Sequence, residues 1–122
     1  MAKELNFDTW EKDVMQSQKP VVVDFWHEQC IWCQRLNPIY EELSKEYKGA
    51  VLAKLNIRAN EENLQLAIKY GVTGTPTMKI FCNGRVTGEI IGFMDKAKLK
   101  EELDRAVSKS KECLDSSTEL KK

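Results

Sequence analysis

Apolar runs alternate with amphipathic segments along this chain, and the pattern predicts strands and helices in turn. Val21–Trp26 and Val51–Ile57 are rich in β-branched and aromatic residues, which favours strands. In the first of them only one aspartate interrupts the apolar run, so we predict a central strand that is buried on both faces. Two further strands, Thr77–Phe81 and Val86–Ile91, flank an Asn-Gly dipeptide, which is a strong signal for a hairpin.

Apolar residues recur at helical spacing in the segments between these strands. We predict four helices: one capped by Asn6, Cys33–Tyr47, Asn60–Tyr70, and one that begins at Asp95 and carries apolar residues as far as residue 107. The first of them should bury one face, formed by Phe7, Trp10 and Val14. The resulting order, αβαβαββα, predicts an α/β domain with a mixed sheet flanked by helices.

Length and charge limit the possible classes of protein. The chain has 122 residues, which fits one domain; we place it at residues 1–108 and expect residues 109–122 to form a frayed or disordered polar tail. The 19 basic and 19 acidic residues cancel, so charge gives no reason to expect nucleic acid or an anionic membrane as a partner. The sequence contains neither an apolar run of membrane-spanning length nor a secretory signal. We therefore expect a cytoplasmic protein, and we also expect it to be a monomer.

Cys30 and Cys33 form the most informative motif. They directly follow a predicted buried strand and open a predicted helix. Residues three apart on the first helical turn face the same side, so the two sulfurs can form a disulfide. The helix N-terminus also stabilises a thiolate at Cys30: lowering a thiol pKa from about 8.5 to about 7 raises the thiolate fraction at pH 7 roughly 16-fold. The spacing alone also fits half of a zinc site.

Asp24 is the second candidate for a chemical role, because it lies in the middle of the apolar run that forms the predicted central strand. A buried carboxyl group is costly and gives nothing to packing. Burial should raise its pKa, which suits a proton acceptor for Cys33. Lys54, in the next predicted strand, is placed to moderate the charge of Asp24. The alternatives are an edge-strand surface position for Asp24 and a solvated surface lysine at Lys54.

The residues around the cysteine pair resemble those of a known family. Val-Asp-Phe-Trp precedes the pair, and Lys-Leu-Asn-Ile and Gly-Thr-Pro-Thr follow it. In these motifs and their spacing the chain resembles the thioredoxin family from about Phe7 to Val107. The resemblance implies the thioredoxin fold, in which helices cover both faces of a central mixed sheet. It also implies a protein-disulfide reductase whose only redox group is the Cys30–Cys33 disulfide, without a further cofactor or a metal.

The same resemblance implies roles for individual residues. Cys30 would attack the client disulfide and Cys33 would be the buried resolving thiol. Asp24 and Lys54 match the family's buried acid and its lysine partner. Thr75-Pro76 would be a cis peptide that faces the cysteines. We expect the substrate-binding residues to be Trp26, Trp32, Thr75, Pro76 and Gly92. The expected partners are client proteins that contain disulfides and an electron donor of the thioredoxin-reductase type.

The sequence departs from the family beside the cysteines. Where the family usually has Trp-Cys-Gly-Pro-Cys, this chain has Gln29, Ile31 and Trp32 in the variable places. This leaves open a more oxidising exchanger or isomerase. A metal- or cluster-binding module and a scaffold that keeps only the fold are further alternatives. Cys82 is expected to be a strand-end thiol, and Cys113 an exposed thiol in the tail.

We predict a redox potential between roughly −220 and −280 mV for the Cys30–Cys33 couple, far from the value of about −120 mV of a strong oxidant. Strong oxidants stabilise the thiolate, often with a positive or hydrogen-bonding group between the cysteines, and Ile31 and Trp32 supply no charge there. The absent proline loosens the turn and raises the potential only modestly. Equilibration against glutathione buffers measures the potential. A value above about −180 mV, which is typical of an isomerase, would contradict the reductant hypothesis.

Overall fold

The computed structural model describes residues 1–120, with side chains described for residues 1–110. In chain order the elements are β1 (Lys3–Leu5), α1 (Phe7–Trp10), which continues as a π-helical turn (Glu11–Met15), β2 (Val21–Trp26), α2 (Ile31–Glu46), β3 (Val51–Asn56), α3 (Glu61–Lys69), β4 (Thr77–Cys82), β5 (Arg85–Ile91) and α4 (Lys96–Leu120).

The strands form one five-stranded sheet in the order β1-β3-β2-β4-β5. The pairs β1–β3 and β3–β2 are parallel, whereas β4 is antiparallel to both β2 and β5. β2 therefore lies at the centre of the sheet, and all of its residues except Trp26 are buried. The predicted central strand is confirmed.

Helices pack on both faces of this sheet. On one face, α2 and α4 cover Val22 of β2, Leu52 of β3 and Met78 of β4. On the other face, α1 and α3 cover Val23 and Phe25 of β2. Successive side chains of a strand point to opposite faces, so Asp24 and Lys54 lie on the α2 side with Val22 and Leu52. The predicted α/β fold, with helices flanking a central mixed sheet, is confirmed.

The N-terminal region differs from the prediction. β1 was not predicted, because three residues with a single buried side chain, Leu5, are too few to show an alternating pattern. The predicted buried face of the first helix is wrong at Phe7, whose side chain is 49% exposed, although Trp10 and Val14 are buried. The helical turn of α1 has only four residues before the wider π turn begins. The 3.6-residue period assumed in the prediction therefore does not hold there.

At the C-terminal end, α4 extends past residue 108. The domain boundary at residue 108 and the state of the tail at residues 109–122 stay predictions. The side chain of Cys113 lies outside the described residues, and so does its predicted exposure.

Tyr40 fixes α2, and with it the cysteine pair, against the sheet. Its side chain is fully buried, and its hydroxyl lies 3.1 Å from the carbonyl oxygen of Val22 and 2.8 Å from that of Ala53. These carbonyls belong to the neighbouring strands β2 and β3, so one side chain of α2 spans two strands. The α2 helix also contains Pro38.

Tyr40→Phe should lower the free energy of unfolding by about 1–2 kcal/mol, because it removes the only donor that this side chain offers to two buried carbonyls. Tyr47→Phe, at the C-cap of α2, is the matched control, since the Tyr47 hydroxyl bonds to Asp104 in an exposed position where water can replace it. Urea unfolding of both variants measures the difference. Equal losses would contradict a specific anchoring role for Tyr40.

Candidate active site

The cysteine pair lies where β2 leads into α2. Cys30 is the N-cap residue of α2. The backbone N–H of Cys33 donates a hydrogen bond to its Sγ over 3.2 Å. The two cysteines form a disulfide with Cα atoms 5.2 Å apart. Cys30 is partly exposed, whereas Cys33 is buried at 2% exposure. One sulfur is therefore accessible from outside and the other only through its partner.

Thr75 and Pro76 lie directly beside the accessible sulfur. The Thr75–Pro76 peptide bond is cis, as the family resemblance implied. The Sγ of Cys30 is 3.4 Å from the carbonyl oxygen of Thr75. Gly92 donates its backbone N–H to the carbonyl oxygen of Pro76 over 3.0 Å, and it adopts a φ of 89°, which favours glycine.

A groove of about 350 Å³ runs along this side of the disulfide. It brings together four of the predicted substrate-binding residues, Trp32, Thr75, Pro76 and Gly92, with Phe93. The rings of Trp32 and Phe93 are 5.7 Å apart, and the guanidinium carbon of Arg35 lies 4.9 Å from the centre of the Trp32 ring. Sequence analysis missed Phe93 and Arg35. Their only signal was position: Phe93 follows Gly92, and Arg35 follows Trp32 by three residues on one helix.

Trp26, the fifth predicted substrate-binding residue, does not line this groove. Its ring lies 4.7 Å from the ammonium nitrogen of Lys54, and it borders a separate cavity together with Glu4 and Asn56. Its role in substrate binding stays a prediction.

Asp24 is buried at 1% exposure in the central strand, so the edge-strand alternative is wrong. Its Oδ1 atom has no hydrogen-bond partner among the described residues. Burial raises the pKa of Asp24 to about 7, and the charges of Glu4 and Glu41 act in the same direction. The positive charge of Lys54 opposes them. Asp24 can therefore gain or lose a proton near neutral pH.

Lys54 is also buried, at 7% exposure, so the solvated alternative is wrong. Its ammonium group donates to Asn37 Oδ1 over 2.6 Å and lies 3.3 Å from Glu41 Oε2. The structure thus gives Lys54 two partners on α2. Sequence analysis missed both, because a contact between a strand and a helix leaves no local pattern.

The residues that precede Cys30 form polar contacts with the loop after β3. Arg58 donates to the side chain of Gln29 over 2.8 Å, and Asn56 donates to Glu28. Burial lowers the pKa of His27, and the neighbouring positive charge of Arg58 acts in the same direction. Gln29, one of the departures from the family motif, is therefore held by a specific partner.

Comparisons with known proteins agree with this geometry. A family model described as thioredoxin matches residues 1–105. The chain is 37% identical over 108 residues to a thioredoxin of Rickettsia felis, an alignment that covers 88% of this chain and 100% of that protein. It is 36% identical over 107 residues to a thioredoxin of Chlorobaculum thiosulfatiphilum, covering 87% and 94% of the two chains. The chain belongs to the thioredoxin family.

Membership of this family and the disulfide at Cys30 and Cys33 together assign the activity. The protein is a thiol–disulfide oxidoreductase that reduces protein disulfides by dithiol–disulfide exchange. A thioredoxin of Acidithiobacillus ferridurans, 40% identical over 98 residues that cover 80% of this chain and 88% of that one, is a further relative.

Other features of this thioredoxin-family protein complete the description. Cys82 is buried at the end of β4, with its Sγ 3.3 Å from the carbonyl oxygen of Ser110. Among the described side chains, no three or more His, Cys, Asp or Glu residues cluster as metal ligands would. Within the described part of the chain, none of the helices has the length and apolar character needed to cross a membrane.

Asp24→Asn should stabilise the protein by about 1–4 kcal/mol above pH 7 and hardly at all near pH 4. The folded protein keeps the proton of Asp24 up to about pH 7, whereas the unfolded chain loses it near pH 4. The wild type therefore loses stability as the pH rises between these values, and the full penalty remains above them. The side-chain amide of the Asp24→Asn variant does not titrate in this pH range, so the variant does not lose stability in this way. Urea unfolding of both proteins at several pH values tests this, and a difference independent of pH would contradict it.

Proposed function

We propose that this thioredoxin-family protein works in the cytoplasm as a monomer that donates electrons to client proteins and is reduced again by a reductase of the thioredoxin-reductase type. The observation that carries the proposal is the asymmetry of the pair: Cys30 is partly exposed at the start of α2, whereas Cys33 is buried behind it.

In the first step the thiolate of Cys30 attacks one sulfur of the client disulfide. A new bond forms between Cys30 and that sulfur, the client disulfide breaks, and the second client sulfur leaves as a thiolate that takes a proton. The backbone N–H of Cys33, which bonds to the Cys30 sulfur over 3.2 Å, and the start of α2 favour the negative charge of the attacking thiolate.

In the second step the thiol of Cys33 gives its proton to the carboxylate of Asp24 and attacks the sulfur of Cys30. The Cys30–Cys33 disulfide forms, the bond between Cys30 and the client sulfur breaks, and that sulfur leaves as a thiolate that takes a proton, so both client sulfurs are reduced. The pKa of Asp24, raised to about 7, supports this role, because a general base works best when its pKa lies near the working pH. Two electrons pass from the cysteine pair to the client, and the reductase dithiol later returns two.

The groove beside the disulfide supports binding of the client as an extended segment. Thr75, Pro76, Trp32 and Phe93 are among the residues that line it. Because the carbonyl oxygen of Thr75 lies 3.4 Å from the Cys30 sulfur, a client backbone that bonds to Thr75 has its own sulfur close to the point of attack.

Cys33→Ser should accumulate stable mixed disulfides with client proteins, because Cys30 still attacks and no second thiol resolves the intermediate. Non-reducing electrophoresis after incubation with disulfide-containing proteins, followed by release with dithiothreitol, measures the trapped fraction. The wild type should show almost none.

Cys30→Ser is the matched control, since it keeps one thiol of the pair but leaves only the buried one. It should trap no client. If both single variants trap the same amount of client, the assignment of attacking and resolving thiols is wrong.

A further inference from the structure

Lys54 is placed opposite Asp24 in the sheet but does not form an ion pair with it. The two residues are register partners in the parallel pair β2–β3, and both side chains lie on the α2 face. Within the described part of the chain, the carboxylate that lies within ion-pair distance of the Lys54 ammonium is Glu41, at 3.3 Å. The buried ammonium group of Lys54 is thus directed toward Glu41 and not toward Asp24, although the two residues are neighbours in the sheet.

Two residues of α2 account for this direction. Asn37 and Glu41 are four residues apart, so their side chains lie on the same side of the helix. Asn37 Oδ1 is 2.6 Å from the ammonium nitrogen and Glu41 Oε2 is 3.3 Å from it. The other carboxylate oxygen of Glu41 accepts the backbone N–H of Ala2 over 2.6 Å. Glu41 is therefore fixed through both oxygens, and the ring of Trp26 packs against the same ammonium group.

We propose that Asn37 and Glu41 are positioning residues that hold the ammonium group of Lys54 away from Asp24, so that the Asp24 carboxylate stays free to accept a proton. This inference rests on the proposed function, in which Asp24 takes the proton of Cys33.

The groups around Asp24 define what each substitution changes. Lys54 faces it from β3, Glu4 acts on it from β1, and α2 contributes Glu41 and the buried hydroxyl of Tyr40. Its register partner on β4 is the uncharged Met78. Lys54 is thus the positive group in this set. An ammonium group that moved into contact with Asp24 would stabilise the carboxylate and lower the pKa of Asp24.

The substitutions Asn37→Ala and Glu41→Gln separate positioning from direct charge. Glu41→Gln removes a negative charge near Asp24 and also releases Lys54, and both changes lower the pKa of Asp24. Asn37→Ala changes no charge and only removes an acceptor of the ammonium group. A lowered titration midpoint of Asp24 in Asn37→Ala would therefore arise through Lys54.

The experiment follows the carboxyl carbon of Asp24 by NMR across a pH titration of the oxidised protein, with Asp24→Asn used to assign the signal. We expect the midpoint to fall by about one pH unit in both variants, as is usual when an opposite charge comes within contact distance. The matched control is Glu42→Gln, which removes the neighbouring acidic residue of α2, whose exposed side chain bonds to Lys96 instead. Its midpoint should equal that of the wild type.

The Asn37→Ala substitution is then tested in a protein that already carries Lys54→Met. In that protein Asn37→Ala should leave the titration midpoint of Asp24 unchanged, because no ammonium group remains to be released. The proposal is overturned if Asn37→Ala does not lower the midpoint in the presence of Lys54, or if it lowers it equally in the Lys54→Met background.

Turnover separates this inference from the proposed function. When the pKa of Asp24 falls, the carboxylate persists to lower pH, so the acid limb of the pH profile for disulfide reduction should move to lower pH by the same amount. If the NMR midpoint moves and the acid limb does not, Asp24 is not the proton acceptor of Cys33, whereas the positioning of Lys54 stands.

Discussion

A carboxyl group buried in the central strand of the sheet is the constraint on which the rest of this site depends. Asp24 lies in β2, which has a neighbouring strand on each side and a layer of helices on each face. Its side chain is therefore shielded from water. An isolated charge in such a place is unfavourable. The neighbouring strand places one cation, Lys54, near this carboxyl group, and α2 supplies two hydrogen-bond acceptors for that cation.

This arrangement divides the site into an inner and an outer set of residues. Cys33, Asp24 and Lys54 form the inner set and are buried. The departures from the usual family motif lie outside: Trp32 contacts Phe93 and Arg35, and Gln29 bonds to Arg58. The departures from the family motif therefore lie at the surface, whereas the buried residues match those of the family.

The sequence was most informative where a local pattern has one physical cause. The apolar run of β2, interrupted only by Asp24, predicted a central strand, because a strand that is buried on both faces does not alternate apolar and polar residues. The position of Cys30 before a helical segment predicted its place at a helix start. Two kinds of feature could not be predicted from the sequence. β1 is too short to show a pattern. Asn37 and Glu41 become partners of Lys54 only when α2 packs on β3, and no sequence period records that contact.

The parallel pairing of the first strand has a consequence for synthesis on the ribosome. Lys3 pairs with Ala53, so β1 leaves the ribosome about fifty residues before the strand that it joins. At about 5–20 residues per second, this delay lasts several seconds. β2 is also synthesised before both of the strands that it pairs with, since Val23 pairs with Ala53 of β3 and Lys79 of β4. The nascent chain thus presents its most apolar strand unpaired for seconds, which makes this interval the time at which chaperones can act on it.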